Sequence, residues 1–107
     1  MSVKNQIMEH LKEFTGEQDQ NTLQDIYGKY RLSAIDNVNK LGEALPTGDF
    51  GVLYDVSHVL KGASSIVGFN EMWQHAALFV EGTKAHDMAK CKAEYEHIKR
   101  LATVLEE

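Results

Sequence analysis

Hydrophobic residues recur along this chain at steps of three and four, and no segment alternates with the period of two expected of a strand. Val3, Ile7, Leu11 and Phe14 form the first such stripe and predict a helix over residues 3–14, with Ser2 as its cap and Gly16 as its end. The polar run from Glu17 to Asn21 reads as a connection. Thr22-x-x-Asp25 has the form of a capping box and predicts that a second helix, residues 22–45, opens there. Its inward stripe is Leu23, Ile26, Tyr27, Tyr30, Ala34, Val38, Leu41 and Leu45. Pro46-Thr47-Gly48-Asp49 combines breakers with a capping residue, which places a third helix at 49–67, stopped by Gly68. Asn70 is the expected cap of a fourth helix at 70–81, with Met72, Trp73, Ala76, Phe79 and Val80 inward and Gly82 near its end. Met88, Cys91, Tyr95, Ile98, Ala102 and Leu105 alternate steps of three and four over a fifth helix at 84–105, as in a bundle seam.

Connections this short make consecutive helices run antiparallel. The expected fold class is therefore all-α: an antiparallel up-and-down four-helix bundle of helices two to five, with the additional short N-terminal helix packed across or beside one end. A chain of 107 residues is one domain, residues 1–107, long enough for a real core. Burying these stripes is the main stabilising term, roughly 1.5 to 3 kcal/mol for each fully buried large side chain before entropy is subtracted.

Hydrophobic residues at 43% and charged residues at 25% are values of a soluble globular protein, and a single proline with no repeats argues against disorder. A net charge of −5 disfavours nucleic acid, which attracts basic faces. No run of apolar residues is long enough to span a membrane, and the amino terminus lacks the pattern of a signal peptide. One cysteine cannot form an intramolecular disulfide, so the expected location is the cytoplasm and Cys91 is expected in the core. An opening Met1 and little sequence beyond the helices give the expectation of a freestanding monomer.

Chemistry enters with the third helix. At about 100° per residue, Leu53, Val56, Ser57, Leu60, Ser64 and Val67 fall within one arc of roughly 100°, whereas His58 lies about 140° from Leu53. The outward neighbours of His58 are Tyr54, Lys61, Gly62 and Ser65. A neutral imidazole is a competent nucleophile near neutral pH. Phosphorylated, it would carry close to two negative charges, which a lysine one turn away can screen. A glycine within a helix costs roughly 1 kcal/mol relative to alanine, so Gly62 calls for a reason, and close approach of a partner is one. An exposed histidine alone needs no function; the combination is what points to phosphoryl chemistry.

His58-x-x-Lys61-Gly62-x-Ser64-x-x-x-Gly68 resembles the signature of the histidine-containing phosphotransfer domain, the four-helix module of multistep two-component phosphorelays. The likeness covers essentially the whole chain. It implies that His58 accepts a phosphoryl group from an aspartyl phosphate and passes it to another receiver domain, that Lys61 supports the phosphate, and that Gly62 clears the approach. Tyr54 and Ser65 would share the docking face with Gly62. The implied partners are response-regulator receiver domains, including those of a hybrid histidine kinase. No cofactor or metal would be bound by this chain, the receiver would supply Mg²⁺, and the carrier would have no ATPase or kinase activity of its own.

Two positions depart from the family pattern. Asp55 stands where a basic residue is common, three before the histidine. The family's glutamine or glutamate that orients the imidazole falls, counted without gaps, at Val80, with Glu81 next to it. Either the register differs by one residue or the ring is oriented otherwise. Other readings have less behind them. Glu94-x-x-His97 matches half of a carboxylate-bridged dimetal pattern, but the other half is absent, and His86 and His97 lie off the last helix's seam. His10 and His75 border their apolar arcs. A non-catalytic helical interaction domain with a degenerate motif is the main alternative. There is no phosphate-cradling glycine loop, ATP-binding motif or nucleophile with an evident base to suggest a hydrolase or an ordinary transferase.

Overall fold

Helix boundaries here follow local hydrogen bonds at the caps, and several lie where the apolar pattern alone does not put them. In the computed structural model, which describes residues 2–106, five helices follow one another. The ends of the expected 1–107 domain, Met1 and Glu107, lie outside the described residues. Helix α1 (Val3–Thr15) opens on Ser2, whose hydroxyl accepts from the Asn5 amide at 3.1 Å, and closes on Gly16 in the left-handed conformation. Ile7 and Leu11 are buried, but Phe14, expected inward, is 67% exposed. The ring of His10, one turn earlier, already occupies the ground against Gly68 and donates from Nε2 to the Ile66 carbonyl at 3.2 Å, and Phe14 stacks on it from outside.

Helix α2 (Gln20–Ala44) starts two residues before its expected origin. Asp19 is the cap: one carboxylate oxygen accepts from the Asn21 amide at 3.0 Å and the other from the Thr22 hydroxyl at 3.1 Å. Thr22 therefore supports a cap and is not one. The helix tightens into a 3₁₀ turn (Leu45–Thr47) containing Pro46, and Gly48 reverses the chain. Helix α3 (Phe50–Val67) is capped by Asp49, which accepts from the amides of Gly51 and Val52, and ends on Gly68 at φ 75°. Gly68 is doubly required, because any Cβ there would also strike the His10 ring.

Helix α4 (Asn70–Lys84) begins after Phe69, which has no capping side chain; Asn70 is the first helical residue and does not cap. Phe69 turns into the core and sets that start. Gly82 does not end the helix. It lies within it, buried, where an added Cβ would meet Cys91 Sγ at 3.0 Å, so the missing side chain lets the last helix come close. The reversal falls instead at His86, the one non-glycine residue with positive φ among those described (52°). Helix α5 (Met88–Glu106) accordingly starts at 88 and not 84, with the Asp87 carboxylate accepting from the Lys90 amide at 3.1 Å. Trp73, expected in the core, is 38% exposed. It sits about 90° from the centre of a stripe that Met72, Ala76, Phe79 and Thr83 define.

The described residues are all-helical, and the helices pack into a globule of 44 × 22 × 21 Å. Helix α3 lies against α2 and α4, α4 against α5, and α5 returns to α2; α1 touches α2, α3 and α5. Leu23, Leu41, Leu53, Leu60, Met72, Phe79, Ile98 and Leu105 are fully buried between them, as is Cys91. Polar groups inside are satisfied. The Tyr30 hydroxyl and Ser64 Oγ share a hydrogen bond of 2.8 Å between α2 and α3, and Arg31 Nε donates to the Leu105 carbonyl at 2.7 Å. No described helix is long and apolar enough to cross a membrane.

Candidate phosphoryl-acceptor site on α3

The orientation of His58 is set by what α3 buries. Leu53, Ser57, Leu60, Ser64 and Val67 all point inward. Ser57 can do so because its hydroxyl donates to the Leu53 carbonyl, one turn back, at 2.7 Å, leaving no unpaired polar atom in the core. With Ser57 fixed inward, the next residue, His58, emerges on the outer surface. His58, Gly62 and Ser65 are exposed, and Tyr54 and Lys61 are half-buried at the edge of the same face. The five residues singled out from the sequence thus share one surface.

Space and charge around the imidazole are specific. A Cβ added at Gly62 would meet no atom within 4 Å, so the ground one turn beyond His58 is open. Lys61 forms no ion pair among the described residues, leaving its ammonium available to an anion at the ring. Asp55 is exposed on the same side and is likewise unpaired among the described residues. Apolar side chains continue the surface along α3, with Val52, Val59 and Ile66 all exposed.

Neither residue at the family's ring-orienting position bonds the imidazole. Val80 is buried, and the Glu81 carboxylate accepts from Lys90 Nζ at 3.2 Å. The ring is instead covered on one face by Tyr54, with centroids 5.5 Å apart and planes 11° from parallel. Lys84, the last residue of α4, holds its ammonium over the Tyr54 ring at 5.9 Å from the centroid. One turn earlier on α3, Phe50 stacks on His86 at 4.7 Å and 5°. The α4–α5 turn thus leans on a row of aromatic rings that ends at His58. Sequence reasoning found Tyr54 and missed Lys84 and His86, which no spacing rule connects to a helix that precedes theirs.

The remaining histidines are otherwise engaged. His75 Nδ1 lies 2.6 Å from Glu94 Oε2, and His97 stacks flat on His75 at 4.4 Å. This joins α4 to α5, and among the described residues no group of three His, Cys, Asp or Glu side chains is set to hold a metal ion. Comparison of the chain with protein-family models, with curated proteins and with solved structures gave no match.

Proposed function

We propose that this protein is a phosphoryl carrier of a two-component phosphorelay, with His58 as the covalent site. The observation that carries this reading is the surface of α3: an exposed imidazole whose nitrogens make no hydrogen bond within the described residues, an unpaired ammonium at Lys61, and open space at Gly62. In the transfer, a ring nitrogen lone pair attacks the phosphorus of an aspartyl phosphate. The P–N bond forms as the P–O bond to the aspartate breaks, and the carboxylate leaves with the electron pair. The phosphorylated ring keeps its proton on the other nitrogen, and the reverse step delivers the group to a second aspartate.

Lys61 lowers the free energy of the phosphorylated state, by an amount that solvent screening limits. The receiver domain supplies Mg²⁺ and the aspartate; this chain supplies a nucleophile, a cation and clearance, which makes it a carrier and not a kinase. We read the ring of contacts α2–α3–α4–α5 as an antiparallel up-and-down four-helix bundle with α1 beside it, and the protein as a cytoplasmic monomer whose partners are receiver domains that dock over Tyr54, Gly62 and Ser65.

The direct test is incubation with a phosphorylated receiver domain and Mg²⁺, followed by intact mass and acid-lability measurements beside a His58→Gln control. The expected result is an acid-labile, base-stable gain of one phosphoryl group that the control lacks. No gain across a panel of receivers would overturn the carrier role in favour of a non-catalytic interaction domain.

A further inference from the structure

We infer that Tyr54 is the positioning residue of the His58 imidazole and that Lys84, from the end of α4, holds Tyr54 in place. This rests on the carrier reading and states how that site is organised. A surface imidazole turns freely about its side-chain bonds unless something holds it, and a nucleophile that must meet a phosphorus atom in line loses rate in proportion to that freedom. Side-chain hydrogen bonding does not hold this ring, since Val80 is buried in the core and Glu81 is paired with Lys90. What does touch it is the face of Tyr54, nearly parallel at 5.5 Å. A stack fixes the plane of the ring while leaving both nitrogen edges free, whereas a hydrogen bond would occupy one of them.

Tyr54 is itself held from two directions. It is half-buried at the edge of α3, and the Lys84 ammonium sits over its ring as a cation–π partner. Phe50, one turn before Tyr54, is pinned by His86, so the same α4–α5 turn secures both aromatic residues. The stack also suits the product: a phosphorylated imidazole that keeps its second proton is formally cationic, and the electron-rich face of a phenol ring favours it.

Two donors separate positioning from docking. Phosphoramidate is too small to dock, and its P–N bond breaks with ammonia as the leaving group, so it reports the reactivity of the ring itself. A phosphorylated receiver reports ring and docking together. Tyr54→Ala is expected to slow phosphorylation of His58 about three- to tenfold with both donors, and Tyr54→Phe to restore it, because the phenyl face keeps the stack. Lys84→Gln is expected to give a smaller loss. In NMR spectra the His58 ring protons, shifted upfield by Tyr54 in the wild type and in Tyr54→Phe, are expected to move to exposed-histidine positions in Tyr54→Ala. A loss seen only with the receiver would make Tyr54 a docking contact and overturn the proposal, as would unchanged ring-proton shifts. If the wild type takes up no phosphoryl group from either donor while the shifts still respond to Tyr54→Ala, the stack stands but the carrier reading fails, and the positioning role fails with it.

Discussion

Gly62, like Gly28 in α2, is a glycine whose presence the fold does not explain. It lies inside α3, away from either end, with normal negative φ and nothing within 4 Å of where a Cβ would be. Alanine there is expected to raise stability by about 0.5 to 1 kcal/mol, read as a shift in the denaturation midpoint. Glutamine is expected to leave the melting temperature equal or higher while blocking transfer from a phosphorylated receiver; transfer at the full rate would remove clearance as the reason for the glycine. His58, Lys61 and Gly62 were legible in the sequence because all three lie on one helix, where angle follows directly from spacing. Lys84 was not, because its approach to Tyr54 depends on where α4 stops. That stop is decided by Gly82 remaining helical against Cys91, a packing fact with no local signal.

At the scale of elements, the apolar periodicity located all five helices, and the errors lie at their ends and in the facing of Phe14 and Trp73, which turn outward. Asp19 outcompeted Thr22 as a cap because it serves an amide and the Thr22 hydroxyl together, and Phe69 was drawn inward before Asn70 could cap. The α4–α5 turn is the instructive case. The Asp87 amide donates to the Gly82 carbonyl at 2.8 Å and the His86 amide to the Thr83 carbonyl at 3.2 Å, a pairing that usually ends on glycine. Here a histidine takes the left-handed position, and its stack on Phe50 offsets the backbone cost. His86→Ala keeps the cost and loses the stack, and is expected to destabilise by about 1 kcal/mol. His86→Gly loses both and is expected to lie within about 1 kcal/mol of the wild type, more stable than the alanine variant. Urea denaturation of the pair gives the order; alanine equal to glycine would mean that the conformation costs nothing.

For the whole molecule, the buried acids decide how stability responds to alkali. Burial pushes the Tyr30 phenol far above its ordinary value of 10.0, only partly opposed by the hydrogen bond to Ser64. Burial also raises Tyr27 and Cys91. These groups hold their protons more tightly folded than unfolded, so their contribution is complete below the ordinary pKa and is lost as pH climbs from there toward the folded values. Unfolding free energy is thus expected to be flat near pH ~8 and to fall steeply above pH ~10. Tyr30→Phe should flatten part of that slope while costing about 1 kcal/mol at neutral pH, because the buried Ser64 hydroxyl loses its partner. An unchanged slope in that variant would mean that the phenol is not what makes alkali destabilising.

The order in which the helices touch also bears on how the chain assembles. Within the ring of α2 to α5, the interfaces α2–α3, α3–α4 and α4–α5 join neighbours along the chain, and α5 against α2 closes the ring between distant segments, where Arg31 reaches the Leu105 carbonyl. Local interfaces form at little loop-closure cost, and such topologies fold on the order of microseconds to milliseconds. The α2–α5 seam is then the last to close and the first to open. Truncating Leu105 to alanine is expected to speed unfolding while leaving the folding rate nearly unchanged, whereas truncating Leu60, at the centre of the early α2–α3–α4 contacts, is expected to slow folding itself. Stopped-flow or temperature-jump kinetics on the two variants would show it, and equal effects on both rates would mean that the ring closes as one event.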